Sequence, residues 1–253
     1  MIPPSAAPDD EILHARDVLA QRWARGRRPR VAPPGGIILC HQGRGLGTAA
    51  SWWRSRRVAG FDAEIRLLHG THGRVAVATG FGVGAPAAVA LLEELVAFGV
   101  RRFVSVGLAG GLRPDQQPGG LVVAERALRD EGTSAHYLPP GEAVDASAPL
   151  TRRLASALER AGRPYMKVAV CTTDAPYRTT RAAVERWTRA GGAAVEMEAA
   201  GLFAAASRRG VDVAAACCLA DTLTLQGWRL DFDEREVASG LRRLFAAATE
   251  ALQ

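Results

Sequence analysis

The chain has 253 residues, 48% of them hydrophobic and 23% charged, with a net charge of +6. That length suits one large α/β domain with a sizeable core, and the composition excludes a disordered or collagen-like chain. The positive charge does not point to nucleic acid: Lys167 is the only lysine, arginine is used throughout, and the one dense basic run, Arg22 to Arg30, has no stacking aromatic beyond Trp23.

No apolar run reaches the roughly 18 residues of a membrane span. The start MIPPSAAPDDEILHARD lacks a basic segment followed by an apolar block, so no secretory signal is expected and the cytoplasm is the expected compartment. A helix is expected from Asp9 to Ala24. The arginine-rich stretch after it, ending in Pro33-Pro34-Gly35-Gly36, reads as a solvated arm or a subunit contact. Residues 1–35 are thus set apart from a single domain over 36–253.

Gly36 to Cys40 (GIILC) is a fully apolar run of the kind found in buried parallel strands, and it opens into HQGRGLGTAAS, a Gly-rich loop entering a helix. Ala63 to Leu68 and Arg74 to Thr79 are two further strands joined by HGTHG. His69 and His72 form an HxxH there, but no second ligand pair accompanies them and no metal site is expected. The Gly-rich turn GFGVGAP leads into a helix over Ala87 to Phe98, and the strand Arg101 to Val106 leads into a third Gly-rich turn, GLAGGL. The strand Leu121 to Arg126 is followed by a polar loop, Arg129 to Pro140. A helix over Leu150 to Ala161, the strand Met166 to Cys171, the loop TTDAPYRTT and a helix over Arg181 to Arg189 come next. GGAAVEMEAA, Gly191 to Ala200, reads as a strand end passing into an alanine-rich helix that runs to Arg209. A strand over Val211 to Leu219, Asp221 just past its end, and a helix over Asp233 to Leu252 complete the chain. Alternating strands and helices imply a single-domain, three-layer α/β/α fold with a mixed, mostly parallel central sheet. Cys40, Cys171, Cys217 and Cys218 lie in or at the ends of apolar runs, outside any CxxC pair, and read as small buried hydrophobes in a reducing compartment.

Ligands of α/β sheets bind beyond the carboxyl ends of the strands, where glycines let the backbone approach them. Three Gly-rich turns after three strands therefore suggest a small-molecule site. Gly80, Gly82 and Gly84 give GxGxG rather than GxGxxG, and no GxxxxGK[ST] occurs, so neither a dinucleotide nor a P-loop nucleotide is expected. In AVEMEAA, a strand spacing of two puts Glu196 and Glu198 on one face, where both could meet the same ligand. The alternative is that carboxylates are simply favoured at a helix start. Asp221 follows the apolar run Val213 to Ala220, and an acid left there must be solvated, paired or functional.

GFGVGAPAAVALLEEL, VSVGLAGGL, RDEGTSAHYLP, TTDAPYR, AVEMEAAGLF and ACCLADTL occur in this order. Together they resemble the nucleoside phosphorylase superfamily, in the branch that holds hexameric purine nucleoside phosphorylase, uridine phosphorylase and related nucleosidases. The resemblance covers Gly36 to Gln253. It implies cleavage of a nucleoside N-glycosidic bond, nominally phosphorolysis to free base and (deoxy)ribose 1-phosphate. It implies inorganic phosphate as co-substrate with no other cofactor, and a homo-oligomer, either a dimer or a trimer of dimers. Glu196, Met197 and Glu198 would hold the ribose, Glu198 accepting from the 2′- and 3′-hydroxyls while Met197 packs on the sugar. A nearby anion favours the oxocarbenium-like sugar of the transition state. Pro176 and Tyr177 match the stretch that stacks on the base, although Tyr177 also fits an ordinary loop tyrosine. Asp221 matches the aspartate that donates a proton to purine N7, which leans the reading towards purine over uridine; a helix N-cap is its alternative role.

The phosphate site departs from the family pattern. A GDPxR-like turn is expected after the first strand, and CHQGRG stands there, with Arg44 as the replacement or Gly45 if the alignment slips by one. Ser105 occupies the place of a strand arginine, Leu108 that of a hydroxyl residue, and Ala59 to Asp62 offers no arginine for a neighbouring subunit. Gly43, Arg44, Gly82, Ser105 and Leu108 therefore mark the phosphate or nucleophile site, with Arg102 or Arg178 as non-standard donors. A phosphate dianion wants two or more fixed cationic donors. Their scarcity keeps a phosphate-independent nucleosidase open, with His41 and Gln42 standing where such enzymes place a glutamate. A non-catalytic nucleoside-binding protein is the third reading. His14, His41 and His136 are the candidates for a histidine reaching a neighbouring subunit's sugar site.

Overall fold

Eleven strands and six α-helices occupy residues 11–41, 55–230 and 234–253, the part of the chain described by the computed structural model. The sheet branches at one long strand. β5 (Arg102–Gly111) pairs in its first half with β1 (Gly36–Cys40) and at its end with β9 (Gly192–Glu196), while β10 (Asp212–Thr224) runs along its whole opposite edge. From β1 one branch continues through β4 (Val75–Thr79) and β3 (Glu64–Leu67) to the edge strand β2 (Arg56–Val58). The other branch closes on itself. β10 pairs with β6 (Leu121–Asp130), β6 with β8 (Met166–Thr173), β8 with β9, and β9 returns to β5. The long ladders β5–β10 and β6–β8 are parallel, and short antiparallel pairings trim the edges, including β7 (Ala143–Asp145) on β6 and β11 (Gly227–Arg229) on β10.

Both faces of this sheet are covered, which is why GIILC and VAVA need no polar residue. Ile37, Leu39, Ala76 and Ala78 join one core with α1 (Ala15–Arg22), α2 (Ala85–Phe98) and α5 (Ala199–Arg209). Ile38, Cys40, Val75 and Val77 join the opposite core with α3 (Ala148–Arg160) and α6 (Glu234–Leu252). A third cluster packs α4 (Arg181–Arg189) on β6, β8 and β9 through Trp187, Leu128 and Cys171. Gly201 of α5 lets two helices approach closely: a Cβ there would lie 2.8 Å from that of Ala85 in α2. All four cysteines are buried. Among the described residues no helix is long and apolar enough to cross a membrane.

Several expectations need correction. Asp9, where the first helix was expected to begin, lies outside the described residues; residues 11–14 are not helical, His14 being extended, and the helix starts at Ala15 and passes at Trp23 into a short π-turn in which Gly26 takes φ +82°. The arginine-rich stretch is tied to its own chain, with Arg22 ion-paired at 2.7 Å to both Asp62 and Glu94 and Arg28 stacked on Trp23. GLAGG is not a turn but the second half of β5. Its glycines serve close approach: a Cβ on Gly110 would lie 2.5 Å from Leu223 Cδ1, and one on Gly111 equally close to Gln116 Oε1. β6 continues past Arg126 through the buried Ala127 and Leu128 to Arg129 and Asp130 of the expected loop, where β7 and β8 pair with it. Asp221 lies inside β10, because a bulge between Leu219 and Asp221 lets the strand continue to Thr224, so the N-cap alternative falls.

Candidate active site

A cavity of about 680 Å³ opens at the carboxyl ends of the parallel strands. His41 just past β1, Val83 after β4, Leu108 to Gly110 of β5, Thr173 at the end of β8 with Pro176, Tyr177 and Thr179 beyond it, Val195 to Glu198, and Ala220, Asp221, Leu223 and Trp228 of the β10–β11 hairpin border it. Its charged walls are acidic. Glu196, Glu198 and Asp221 line it, and among the described residues no arginine or lysine does.

The two glutamates of VEMEAA do different things. Glu196 ends β9, and its Oε2 accepts from the Glu198 and Ala199 amides, both at 2.8 Å, at the first turn of α5. Its Oε1 accepts from the Thr172 hydroxyl, which in turn accepts from the Ala200 amide at 2.9 Å. Burial and the neighbouring Glu198 charge push its pKa up to about 8, against the pull of these three donors. The expectation that both carboxylates meet one ligand is thereby corrected, because the chain itself occupies both Glu196 oxygens. This glutamate takes the helix-start role. Glu198 sits at the N-cap position of α5 with φ −131° and ψ −35°, off the strand, and makes no cap bond to its own helix. Its Oε1 accepts instead from the Gly84 amide at 2.7 Å, across the cavity floor. Gly80, Gly82 and Gly84 all take positive φ, so the GFGVG loop can present that amide. Met197 lies between the two, half-buried, at the cavity wall.

His41 is the site residue that sequence reasoning placed least well. The sequence offers it both for a neighbouring subunit's sugar site and for the place where nucleosidases carry a glutamate, and its ring is buried inside its own cavity. Nε2 is 2.9 Å from Ser105 Oγ, Nδ1 lies 3.6 Å from Glu198 Oε1 without a hydrogen bond, and the ring meets Phe81 edge-on at 5.1 Å. Burial pushes its pKa down and the Glu198 charge recovers only part of this, so the imidazole is neutral at pH 7. The parallel register that pairs Leu39 with Ser105 brings the two together. His14 pairs with Glu11 at 3.5 Å, and His136 lies in a 3₁₀ turn (Thr133–His136); neither borders the cavity.

Asp221 is re-aimed by the β10 bulge. Its Oδ2 accepts from Trp228 Nε1 at 2.7 Å, and its Oδ1 lies over Gly110, where a Cβ would approach to 2.8 Å. Trp228 escaped sequence reasoning because β11 is three residues long and its two-residue turn, Leu225-Gln226, carries no turn-favouring pair. Pro176 and Tyr177 form a 3₁₀ turn (Pro176–Arg178) at the mouth, and the Tyr177 ring is fully exposed. Of the expected anion-site residues, Gly43 and Arg44 lie outside the described residues, as does Gln42. Gly82 shapes its loop at φ +102°, Ser105 holds His41, and Leu108 lines the wall. Arg102 is excluded as a donor, since it begins β5 at the end away from the cavity and donates to Gly35 O at 3.1 Å. Arg178 does not border the cavity.

These features define an α/β protein with a small-molecule cavity at its strand ends, walled by acids. The chain belongs to the Phosphorylase superfamily, whose profile matches residues 39–253. It is 35% identical over 140 residues to guanosine phosphorylase from Halorubrum lacusprofundi, covering 54% of this chain and 56% of that protein. It is 33% identical over 129 residues to uridine phosphorylase from Thermococcus kodakarensis, covering 51% and 47%. The matched stretch thus spans about half the length of these curated relatives. The crystal structure of AMP nucleosidase from Bacteroides thetaiotaomicron superposes with a TM-score of 0.69 at 22% identity, over 81% of this chain and 89% of that one.

Proposed function

We propose that this chain cleaves the N-glycosidic bond of a nucleoside, with a purine base preferred over uracil and inorganic phosphate as the acceptor. The observation that carries this reading is that Glu198 and Asp221 border one cavity, the first held at its floor by the Gly84 amide and the second at the hairpin wall. In this reading Glu198 accepts hydrogen bonds from the ribose diol, and its charge stabilises the oxocarbenium-like sugar as the C1′–N bond breaks. The bond's electron pair leaves with the base, Asp221 supplies the base with a proton, and a phosphate oxygen bonds to C1′. Met197 packs on the sugar, and Pro176 and Tyr177 meet the base at the mouth. The names of the guanosine and uridine phosphorylases support this choice. A cytoplasmic homo-oligomer, as a dimer or a trimer of dimers, belongs to the same proposal.

A second reading, hydrolysis, is favoured by one specific observation. The described cavity wall holds three carboxyl groups and a neutral histidine but no cation, an environment that disfavours a phosphate dianion. Water is the neutral alternative. The deciding experiment strips the purified protein of phosphate, supplies guanosine, inosine and uridine, and follows free base by chromatography with and without added phosphate. Phosphorolysis predicts phosphate-dependent release with sugar 1-phosphate as product. Full-rate release without phosphate makes the chain a nucleosidase, and no release from any nucleoside leaves a binding protein.

A further inference from the structure

The β10–β11 hairpin carries a large aromatic side chain in an unusual position. Trp228 pairs with Leu223 across the hairpin, next to Gly227, which opens β11 at φ +134° just after the two-residue turn Leu225-Gln226. Arg181 of α4 donates to Leu225 O at 3.1 Å and fastens the hairpin tip. Trp228 nevertheless keeps 63% of its surface exposed while its single polar atom is committed to Asp221 Oδ2 at 2.7 Å. An indole that merely filled a core would be buried, and one that merely decorated the surface would leave its N–H to water.

We propose that Trp228 is the positioning residue that decides which oxygen of Asp221 delivers the proton to the leaving base; the proposal rests on the N-glycosidic cleavage reading. An indole nitrogen only donates, and the carbonyl oxygen of a neutral carboxyl is a better acceptor than its hydroxyl oxygen, so the bond to Oδ2 favours a proton on Oδ1. Oδ1 is the oxygen above Gly110, on the cavity-lining strand where the absence of a side chain leaves it room. As the C1′–N bond breaks and its electron pair passes to the purine, the proton moves from Oδ1 to the base nitrogen and the carboxyl becomes a carboxylate. The Trp228 N–H···Oδ2 bond turns from neutral to charge-assisted during that step, so it stabilises the transition state more than the ground state. Solvent returns the proton to Oδ1 after the base departs.

The test compares guanosine with 7-methylguanosine, whose base already carries a positive charge and leaves without N7 protonation. Trp228→Phe keeps the ring and removes the N–H. On guanosine its kcat should fall about 10- to 100-fold with KM little changed, the loss expected for one donor to a developing carboxylate. On 7-methylguanosine its kcat should stay within about twofold of wild type. In an Asp221→Asn background, Trp228→Phe should add no further loss on guanosine, since the two residues then act as one unit. Circular dichroism and a thermal melt establish that each variant is folded; should Trp228→Phe not fold, Trp228→Tyr, read in the same assays, takes its place. Equal losses on both nucleosides, unchanged kcat on guanosine, or additive losses in the double variant would overturn the proposal while leaving the cleavage reading intact. Failure of the wild-type protein to release base from guanosine, 7-methylguanosine or uridine would remove both.

Discussion

Replacing Glu198 by glutamine tests the centre of the site, because it removes a charge and almost nothing else. The amide has the carboxylate's shape, and its oxygen can still accept from the Gly84 amide, now at 2.7 Å from Oε1. What disappears is an anion that is 6% exposed, stands near a second buried carboxyl, and faces only a neutral imidazole at 3.6 Å. Two opposite consequences follow. If Glu198 accepts from the ribose diol, kcat/KM on guanosine should drop by about 10²-fold, close to 2.7 kcal/mol of transition-state stabilisation. Glu196, pushed up to about 8 in part by this charge, holds its proton below that pH, so the buried like-charge pair forms only above it; there its relief should raise stability by about 1 kcal/mol, which moves Tm up by about 2–4 °C for a chain of this size. Steady-state kinetics on guanosine and 2′-deoxyguanosine, with melts of both proteins, provide the readout; the deoxynucleoside, lacking one hydroxyl, should lose less. Wild-type turnover in a folded variant would refute the sugar assignment, and a lower Tm would show that the carboxylate has a charge partner this reasoning overlooks.

Two further predictions concern the same cavity. His41 is held below its ordinary pKa in the fold, so the unfolded chain binds a proton that the folded chain excludes, and His41 makes stability fall as pH drops through 6.5 by at most about 1.4 kcal/mol per pH unit. Glu196 acts in the opposite sense between its ordinary 4.5 and about 8, because there the fold keeps a proton that the unfolded chain has lost. The difference in Tm between wild type and His41→Gln isolates the histidine: it should shrink from pH 8 to pH 5, and a constant difference would contradict the buried neutral imidazole. Gly110→Ala places a methyl 2.5 Å from Leu223 Cδ1 and 2.8 Å from Asp221 Oδ1. It should cost about 1–3 kcal/mol of stability and lower turnover as Asp221 is displaced, and a variant matching wild type in Tm and kcat would show that β5 and β10 can part freely.

Apolar runs bounded by glycine or proline made the buried strands legible, since a strand covered on both faces has no room for polar residues. GIILC and the strand ending at Thr79 lie where their composition places them. The three-residue strands RRV, AVD and GWR were not legible, because three residues hold no period and gain their structure from a longer neighbour. GLAGG misled for a physical reason: glycine weakens a strand in isolation, but here it is required by side chains packing onto β5 from β10 and from Gln116. Glu198 and Asp221 were legible as acids left beside apolar runs, and both line the cavity. The His41–Ser105 contact was not, since only the β1–β5 register joins residues 64 apart. The division of labour between Glu196 and Glu198 depends on where β9 stops, a boundary that the apolar run Ala193 to Val195 does not mark by itself.

The ring of strands beneath the cavity is fastened unevenly. β5 meets β10 along ten residue pairs but meets β9 at only Gly110–Val195 and Gly111–Ala194, continued by the Leu112 amide to Ala193 O at 3.1 Å. That short seam, made on one bank by residues without side chains, is where the ring breathes at least cost. It also lies between the banks that carry Glu198 and Asp221. A molecule gripped by both acids would act as a cross-brace over the weakest closure of the barrel, so occupancy of the cavity and protection of the Ala193–Val195 amides from solvent exchange rise together.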